Sequence, residues 1–311
     1  MNKSIDISVV IPCFNESECI DELYLRLTQS LSMLTEVSYE IIFINDGSKD
    51  DTWDKLTRIS TLNENITAIN LSRNYGHQIA LTAGLKQSRG EATLIIDADL
   101  QDPPELLSSM LDKMKEGFDV VYGKRTERDG ESTFKKVSAS LFYRFLNQMS
   151  ETKIPRDTGD FRLISRRALD ALLLMDEENR FIRGMVSWIG FPQSELLYSR
   201  EARFSGETKY PLKKMMRLAI DAITSFSTKP LKLASKIGFT LAFFGIIFII
   251  KVVIDWHIGN VVTGWSSLMA TILFIGSAQM FVLGIIGEYL GRVYTEAKNR
   301  PLYIIQEIIN G

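Results

Sequence analysis

Residues 7–16 read Ile-Ser-Val-Val-Ile-Pro-Cys-Phe-Asn-Glu, an apolar, β-rich run that stops abruptly in a polar cluster. The same pattern returns at residues 40–45, 66–71, 92–97 and 119–122, each run separated from the next by a segment of helix length with mixed polarity. Strand and helix therefore alternate. Ser8-Val9-Val10-Ile11 and Ile41-Ile42-Phe43-Ile44 are apolar at successive positions, hence on both faces, as strands are when helices cover each side of a parallel sheet. In open sheets of this kind ligands bind beyond the carboxyl ends of the strands.

Those ends carry Pro12-Cys13-Phe14-Asn15-Glu16, Asn45-Asp46-Gly47-Ser48 and Asp97-Ala98-Asp99-Leu100-Gln101-Asp102. The edge is acidic. Neither Gly-x-Gly-x-x-Gly nor Gly-x-x-x-x-Gly-Lys-[Ser/Thr] occurs, so phosphate binding through backbone amides of those two kinds is not indicated. An acidic edge that must hold an anionic phosphate needs a divalent cation between them, and carboxylate oxygens suit Mg²⁺ or Mn²⁺. With 18 Asp in 311 residues an Asp-x-Asp pair arises by chance about once per chain. Its weight comes from its place after the fourth strand, where alternation puts residues i and i+2 on one face. Capping or turn formation is the plain alternative for these aspartates.

The whole-chain averages conceal two unlike parts. Lys plus Arg number 36 against 38 Asp plus Glu, and 45% of residues are hydrophobic, as in an ordinary soluble protein. Up to residue 210 there are 26 basic and 33 acidic residues, and after it 10 and 5. Between residues 237 and 287 the only charged side chains are Lys251 and Asp255. Two stretches, 237–256 and 268–287, each supply the roughly 20 apolar residues that cross a bilayer core. Their link lacks Lys and Arg. Lys229, Lys232 and Lys236 precede the first stretch, and Arg292, Lys298 and Arg300 follow the second, so both ends are expected on the cytoplasmic side. Trp256, Trp265, Tyr289 and Tyr294 stand where interfacial aromatics do. A buried hairpin of a soluble protein is the alternative.

Leu212, Met216, Ala219, Ile220, Ile223 and Phe226 recur at helical spacing beside Lys213, Lys214 and Arg217, which predicts an amphipathic helix in the cytoplasmic interface or a core helix of the head. The domain reading is a head over 1–210, an interfacial helix over 211–232, the two-helix hairpin over 233–295 and a cytoplasmic tail over 296–311. Residues 134–149, with Leu141, Phe142, Phe145 and Met149 apolar and Lys135, Lys136 and Arg144 basic, could form a second membrane-facing helix or pack in the core. Gly284, Gly287 and Gly291 fall on one face of the second span and serve either to pack the hairpin or to join subunits. The first apolar run is too short for a signal peptide, so the head is expected in the cytoplasm. Cys13 and Cys19 make no disulfide framework and read as packing residues in a reducing compartment.

The residues 10–16, 45–48 and 97–104, the last reading Asp-Ala-Asp-Leu-Gln-Asp-Pro-Pro, closely resemble the GT-A, family 2 glycosyltransferases. More narrowly they resemble the polyprenyl-phosphate group that includes dolichol-phosphate mannose synthase and the bactoprenol glucosyl transferases. Asn70-Leu71-Ser72-Arg73-Asn74-Tyr75-Gly76, Thr158-Gly159-Asp160-Phe161-Arg162-Leu163 and Gly287-Glu288-Tyr289-Leu290-Gly291-Arg292-Val293-Tyr294 extend the likeness over nearly the whole chain. One departure is Phe14, where relatives often carry Tyr. The resemblance implies a Rossmann-like, mostly parallel α/β head followed by an interfacial helix and a transmembrane hairpin in the bacterial inner membrane. It places Pro12, Phe14, Glu16 and Asp46 around the nucleobase and ribose, with Asp97 and Ala98 beside the nucleotide. Asp99 and Gln101, with Asp97, would hold the metal. Arg125, Arg203 and Lys209 would face phosphates, and Asp160 would lie on the acceptor side.

The reaction so implied is inverting transfer of glucose from UDP-glucose to undecaprenyl phosphate, for O-antigen or other envelope glycan modification. Asp160, Asp99 and Arg125 are the catalytic set, with Asp160 expected to orient sugar or acceptor rather than to remove a proton. Other nucleotide sugars, donating mannose, N-acetylglucosamine or amino-arabinose, are the alternative. A processive polysaccharide synthase fits less well, because none of the four Trp follows Arg as a Gln-x-x-Arg-Trp motif requires. The expected partners are the UDP-sugar, the lipid acceptor, the membrane, further copies of the chain and a flippase, with no nucleic acid.

Overall fold

The computed structural model describes residues 5–35, 37–126, 158–199, 228–258 and 264–310. They divide into an α/β head, to which residues 301–310 belong, and a helical hairpin. The expected helix over 134–149 lies outside the described residues, as do residues 211–227 of the interfacial helix expected over 211–232, Arg203 and Lys209; residues 229–232 open the first helix of the hairpin.

The head is built on one eight-stranded sheet: β1 (Ile7–Cys13), β2 (Tyr39–Asn45), β3 (Ile66–Leu71), β4 (Ala92–Ile95), β5 (Val120–Arg125), β6 (Thr158–Ser165), β7 (Gln193–Tyr198) and β8 (Ile305–Ile309). Their order is β7-β5-β6-β4-β1-β2-β3-β8. Strands β1 to β5 and β7 run in one direction, while β6 and β8 are antiparallel to their neighbours. The five strands read from the sequence are all present, in a mixed but mostly parallel α/β sheet. The helices of the head are α1 (Ser17–Ser32), α2 (Thr52–Leu62), α3 (His77–Gln87), α4 (Leu107–Lys115), α5 (Arg166–Leu173) and α6 (Ile182–Trp188).

Continuous apolar strands form here because both sheet faces are covered. Val9, Ile11, Cys13, Ile41 and Phe43 join the core with Cys19, Ile20, Leu23, Leu27 and Leu31 of α1 and Leu56 of α2. The α1 residues recur at three- and four-residue spacing, the single stripe a surface helix buries. Each such Leu contributes about 1.5–3 kcal/mol by leaving water. Cys13 and Cys19 are buried free thiols, and burial pushes both above their ordinary range, Cys19 to about 11. They pack, as expected. On the opposite face Val10 and Ile44 meet α3 at Gly84, where an added Cβ would stand 2.4 Å from either side chain. That close approach sets the height of α3, whose first residues enter the site described below.

Three strands escape sequence reading. β7 pairs with β5 in parallel at one edge of the sheet. β6 inserts antiparallel between β4 and β5. β8, within the segment read as a free tail, pairs with β3 along the sheet edge. Ser72 N donates to Ile304 O at 3.0 Å, Thr67 Oγ1 donates to Asn310 O at 2.7 Å, and the Asn310 amide donates to the carbonyl of Ser60. An edge that would otherwise present unpaired backbone groups is thereby covered.

The hairpin consists of α7 (Lys229–His257) and α8 (Trp265–Lys298), 29 and 34 residues long. At 1.5 Å per residue they extend about 43 and 51 Å, beyond the roughly 30 Å of a bilayer core. Both are long and apolar enough to cross a membrane. Among the described residues nothing covers the apolar stretch of either, Phe239 being 78% and Ile249 63% exposed. A core helix of a soluble protein would bury them. α8 ends on Asn299 in the left-handed region, and Pro301 follows. Cβ atoms added at Gly284, Gly287 and Gly291 would meet no other described atom within 4 Å, so these glycines do not seat α7.

Gly84→Val is expected to overpack the α3–sheet contact. The cost is about 1–3 kcal/mol, seen as a lower unfolding midpoint of the purified protein; an unchanged midpoint would contradict the close approach.

Candidate active site

The carboxyl ends of β1, β2, β4 and β5 and the amino end of β6 meet along one sheet edge. At the end of β2, Asp46 accepts from the amides of Tyr75 at 2.7 Å and Gly76 at 2.9 Å, and Asn74 Nδ2 donates to its carbonyl at 3.0 Å. Its carboxylate fastens the loop that leads into α3. Burial nonetheless pushes its pKa above the usual range. Gly47, at φ +65°, lets that loop pass: a Cβ there would stand 2.6 Å from the backbone of Arg73 and Asn74. In the β1–α1 loop Asn15 holds φ +54°, a conformation Asn tolerates, and donates its amide to Ser48 Oγ at 3.0 Å. Pro12 is buried, and Phe14 and Glu16 are half-buried around this turn.

After β4 the chain turns at Leu100, a bulky residue at φ +59°. Strain of this kind clusters at functional sites. The turn is pinned by Gln101 N donating to Asp99 Oδ1 at 3.2 Å. Asp97 stands before it and Asp102 after it, where the Tyr198 hydroxyl of β7 donates to Asp102 Oδ1. Burial, with Asp160, Asp102 and Asp99 nearby, pushes the Asp97 carboxyl up to about 6, while His77 opposes the shift.

Asp160, in β6 and 3% exposed, is held by several side chains. Arg183 Nε donates to its Oδ1 at 2.8 Å. Its Oδ2 accepts from Gln78 Nε2 at 3.0 Å and Arg183 Nη2 at 3.3 Å and lies 3.1 Å from His77 Nε2. Burial alone would raise this carboxyl, but Arg183 and then His77 hold it well below the usual carboxylate range. Removing one partner of such a buried pair costs about 3–5 kcal/mol. His77 also lies 3.5 Å from Asp97 Oδ1; burial disfavours its charge, yet Asp97 and Asp160 outweigh burial and raise it to about 9. Arg162 is buried beneath, donating to the carbonyls of Gly159 and Asp160, and burial brings it down to about 10. Arg125 Nε donates to Tyr198 Oη at 3.4 Å.

The structure thus brings Asp97, Ala98, Asp99, Gln101, Arg125 and Asp160 to one edge, with Pro12, Phe14, Glu16 and Asp46 at the adjoining ends of β1 and β2. His77, Gln78, Arg183, Asp102 and Tyr198 were not singled out from the sequence. Asp102 stood within a quoted motif, but nothing in the sequence pairs it with Tyr198, 96 residues away.

Among the described residues no three His, Cys, Asp or Glu side chains converge as a closed metal centre. The donor set fits an open one. Asp97 Oδ1 is buried without a hydrogen-bond partner, its carboxyl is raised by burial and then by neighbouring carboxylates, and Asp99 follows two residues on. Excess buried negative charge of this kind suits a hard divalent cation whose remaining ligands are water or substrate oxygens.

The family model described as glycosyl transferase family 2 matches residues 8–173, and that of the GtrB C-terminal hairpin matches residues 229–293. Uncharacterized glycosyltransferase YkcC of Bacillus subtilis (strain 168) is 48% identical over 308 residues, covering 99% of this chain and 95% of its own. The prophage bactoprenol glucosyl transferase homolog of Escherichia coli (strain K12) is 40% identical over 303 residues, covering 97% and 99%. Among solved structures, glucosyl-3-phosphoglycerate synthase from Mycobacterium tuberculosis, in complex with Mn²⁺, UDP-glucose and phosphoglyceric acid, superposes with a TM-score of 0.44 at 20% identity, covering 71% of this chain and 78% of that one.

Because the folded Asp97 value lies above its ordinary 3.8, the metal-free protein loses stability as pH rises through about 6, and a bound cation restores it. Mn²⁺ at about a hundredfold its Kd is expected to stabilise by about 2.7 kcal/mol near pH 7.5 and markedly less near pH 5. Unfolding midpoints with Mn²⁺ and with chelator measure this. Asp97→Asn should flatten the pH dependence; an equal shift at both pH values would speak against the site.

Proposed function

The chain belongs to glycosyltransferase family 2 and carries the C-terminal hairpin its bactoprenol relatives share, and from that premise we propose that it transfers glucose from UDP-glucose to undecaprenyl phosphate at a membrane surface. The observation that carries this reading is an acidic, cation-receptive edge at Asp97 and Asp99 in a chain that continues into two apolar helices bare of protein cover.

The acceptor explains what the site lacks. A phosphate monoester with a second pKa near 6 is largely ionised at neutral pH, so the nucleophile needs little help from a general base. Asp160 agrees with that: its oxygens already accept from Arg183 and Gln78 and face His77, so its geometry supports orientation rather than proton removal. Mg²⁺ or Mn²⁺ bound by Asp99 and Asp97, with Gln101, would supply Lewis-acid neutralisation of the donor diphosphate and of the departing nucleotide. Arg125, steadied by Tyr198, offers a guanidinium suited to bidentate phosphate contact. Arg203 and Lys209 would add two more cations. Pro12, Phe14, Glu16 and Asp46 line the donor's base and ribose end, where the Asp46 carboxylate acts by holding the loop over residues 73–76. Direct attack at the anomeric carbon inverts configuration, from an α-linked donor to a β-linked lipid phosphate.

The hairpin brings this chemistry to a lipid. Both α7 and α8 connect to the head, the first through residues preceding Lys229 and the second through β8, which pairs with β3. If the two helices cross the bilayer, the chain leaves the head's side and returns to it. The Lys and Arg flanking the hairpin support placing that side in the cytoplasm of a bacterial inner membrane.

Membranes containing the protein, given labelled nucleotide sugars and undecaprenyl phosphate, are expected to yield one organic-soluble, single-sugar lipid, with UDP-glucose the preferred donor and the β-anomer the product. Preference for another nucleotide sugar reassigns the donor, a long polymer favours a processive synthase, and an α-linked product rules out single displacement. Asp99→Asn is expected to lower the rate by at least about 10²-fold, since it removes charge stabilisation in the transition state.

A further inference from the structure

Arg183 lies in α6, 23 residues from Asp160 in sequence, and no motif marks it. It nevertheless binds both oxygens of a buried carboxylate at the edge, Nε to Oδ1 at 2.8 Å and Nη2 to Oδ2 at 3.3 Å. An ionised carboxylate offers about four acceptor directions. Arg183, Gln78 and His77 make four contacts, one on Oδ1 and three on Oδ2, so Asp160 is held in one orientation from both of its oxygens.

Two further contacts give this arrangement a direction. Gln78 donates to Asp160 through Nε2 and accepts the Ile182 amide on Oε1 at 2.9 Å, which ties the start of α3 to the start of α6 through the same residue that serves the carboxylate. His77, adjacent to Gln78, turns Nε2 toward Asp160 and lies 3.5 Å from Asp97 Oδ1. The chain of contacts therefore runs from Arg183 through Asp160 to His77 and ends at Asp97, whose buried Oδ1 makes no hydrogen bond. A carboxylate that fixes an imidazole, itself fixed by a second partner, is a recurrent way to hold a ring in one orientation.

We propose that Arg183 is a positioning residue for glycosyl transfer: by occupying both oxygens of Asp160 it makes that carboxylate the fixed anchor of the His77 ring beside Asp97. Without Arg183 the buried Asp160 charge loses its chief counter-ion and its second oxygen loses a donor. The ring beside Asp97 is then free to shift. Arg183 acts through Asp160 and is assigned no contact with substrate. The proposal rests on the transfer reaction inferred above.

Displacements of about 1 Å at a reacting centre cost on the order of 10²-fold in rate. Arg183→Gln, in full-length protein in membranes, is therefore expected to lower kcat by about 10²-fold while the KM for the nucleotide sugar moves by less than about threefold. Arg183→Lys, which keeps the charge and one donor, should recover about tenfold of that loss. Asp160→Asn should lower kcat comparably, and adding Arg183→Gln to it should cost less than about a further threefold, since both changes break one chain of contacts. Losses that multiply in the double variant, or a kcat for Arg183→Gln within threefold of wild type, would overturn the proposal. Should Arg183→Gln fail to fold, as its unfolding midpoint will report, Arg183→Lys decides: an intermediate kcat supports the proposal and a wild-type kcat refutes it. Rates are taken with the donor and lipid phosphate that wild-type membranes turn over fastest, so a wrong sugar changes the pair but not the ratio. Absence of any lipid product from wild type counts against the transfer reaction alone, and the same ratios are then read from nucleotide release.

Discussion

Negative charge crowded at one edge of a covered sheet is the constraint around which this head is arranged. Asp46, Asp97, Asp99, Asp102 and Asp160 all sit where strands end beneath helices, and Asp46, Asp99, Asp102 and Asp160 are buried. Burying a carboxylate without compensation is prohibitive, so partners must come from elsewhere in the fold. They come from different elements: loop amides for Asp46, a β7 hydroxyl for Asp102, and α3 with α6 for Asp160. Around Asp97 compensation is thinner, with His77 at 3.5 Å, its Oδ1 buried without a hydrogen bond and three further aspartates nearby. The edge is thus both held together and locally short of positive charge, which is the electrostatic condition for receiving a cation and an anionic nucleotide.

That division of labour separates two aspartates that look alike in sequence. Asp160 is ionised and saturated by its neighbours, which suits an anchor. Asp97 is raised toward neutrality and undersupplied, which suits a ligand. Residue type does not distinguish these roles. The difference lies in a guanidinium 23 residues away on one side and a cluster of like charges on the other.

Much of the fold could be read from local pattern. The runs Ser8-Val9-Val10-Ile11 and Ile41-Ile42-Phe43-Ile44 became central strands because an apolar stretch too short for a helix and bounded by polar turns has few other ways to bury both faces. The hairpin helices were visible for a similar reason, as length and lack of charge are local properties. β6, β7 and β8 were not visible. β6 lies next to β4 only because the sheet order departs from chain order, and β8 sits at the end of the chain, where five residues carry little signal until β3 offers an open edge. In the site, Asp46, Asp97, Asp99 and Asp160 were marked by motifs, whereas His77, Gln78 and Arg183 were single polar residues at the starts of unremarkable helices.

The sequence by itself determined the alternating α/β head, the acidic strand ends, the two apolar helices and, through its motifs, the family. These follow from periodicity, composition and short spacings, all of which act between near neighbours. The tertiary structure alone decided which carboxylate is paired with a guanidinium and which keeps a buried oxygen without a hydrogen bond, because Coulomb and hydrogen-bond energies depend on distances of about 3 Å between groups as much as 96 residues apart. It also decided that the segment after α8 is a strand of the head, since an edge strand takes its stability from the partner it meets.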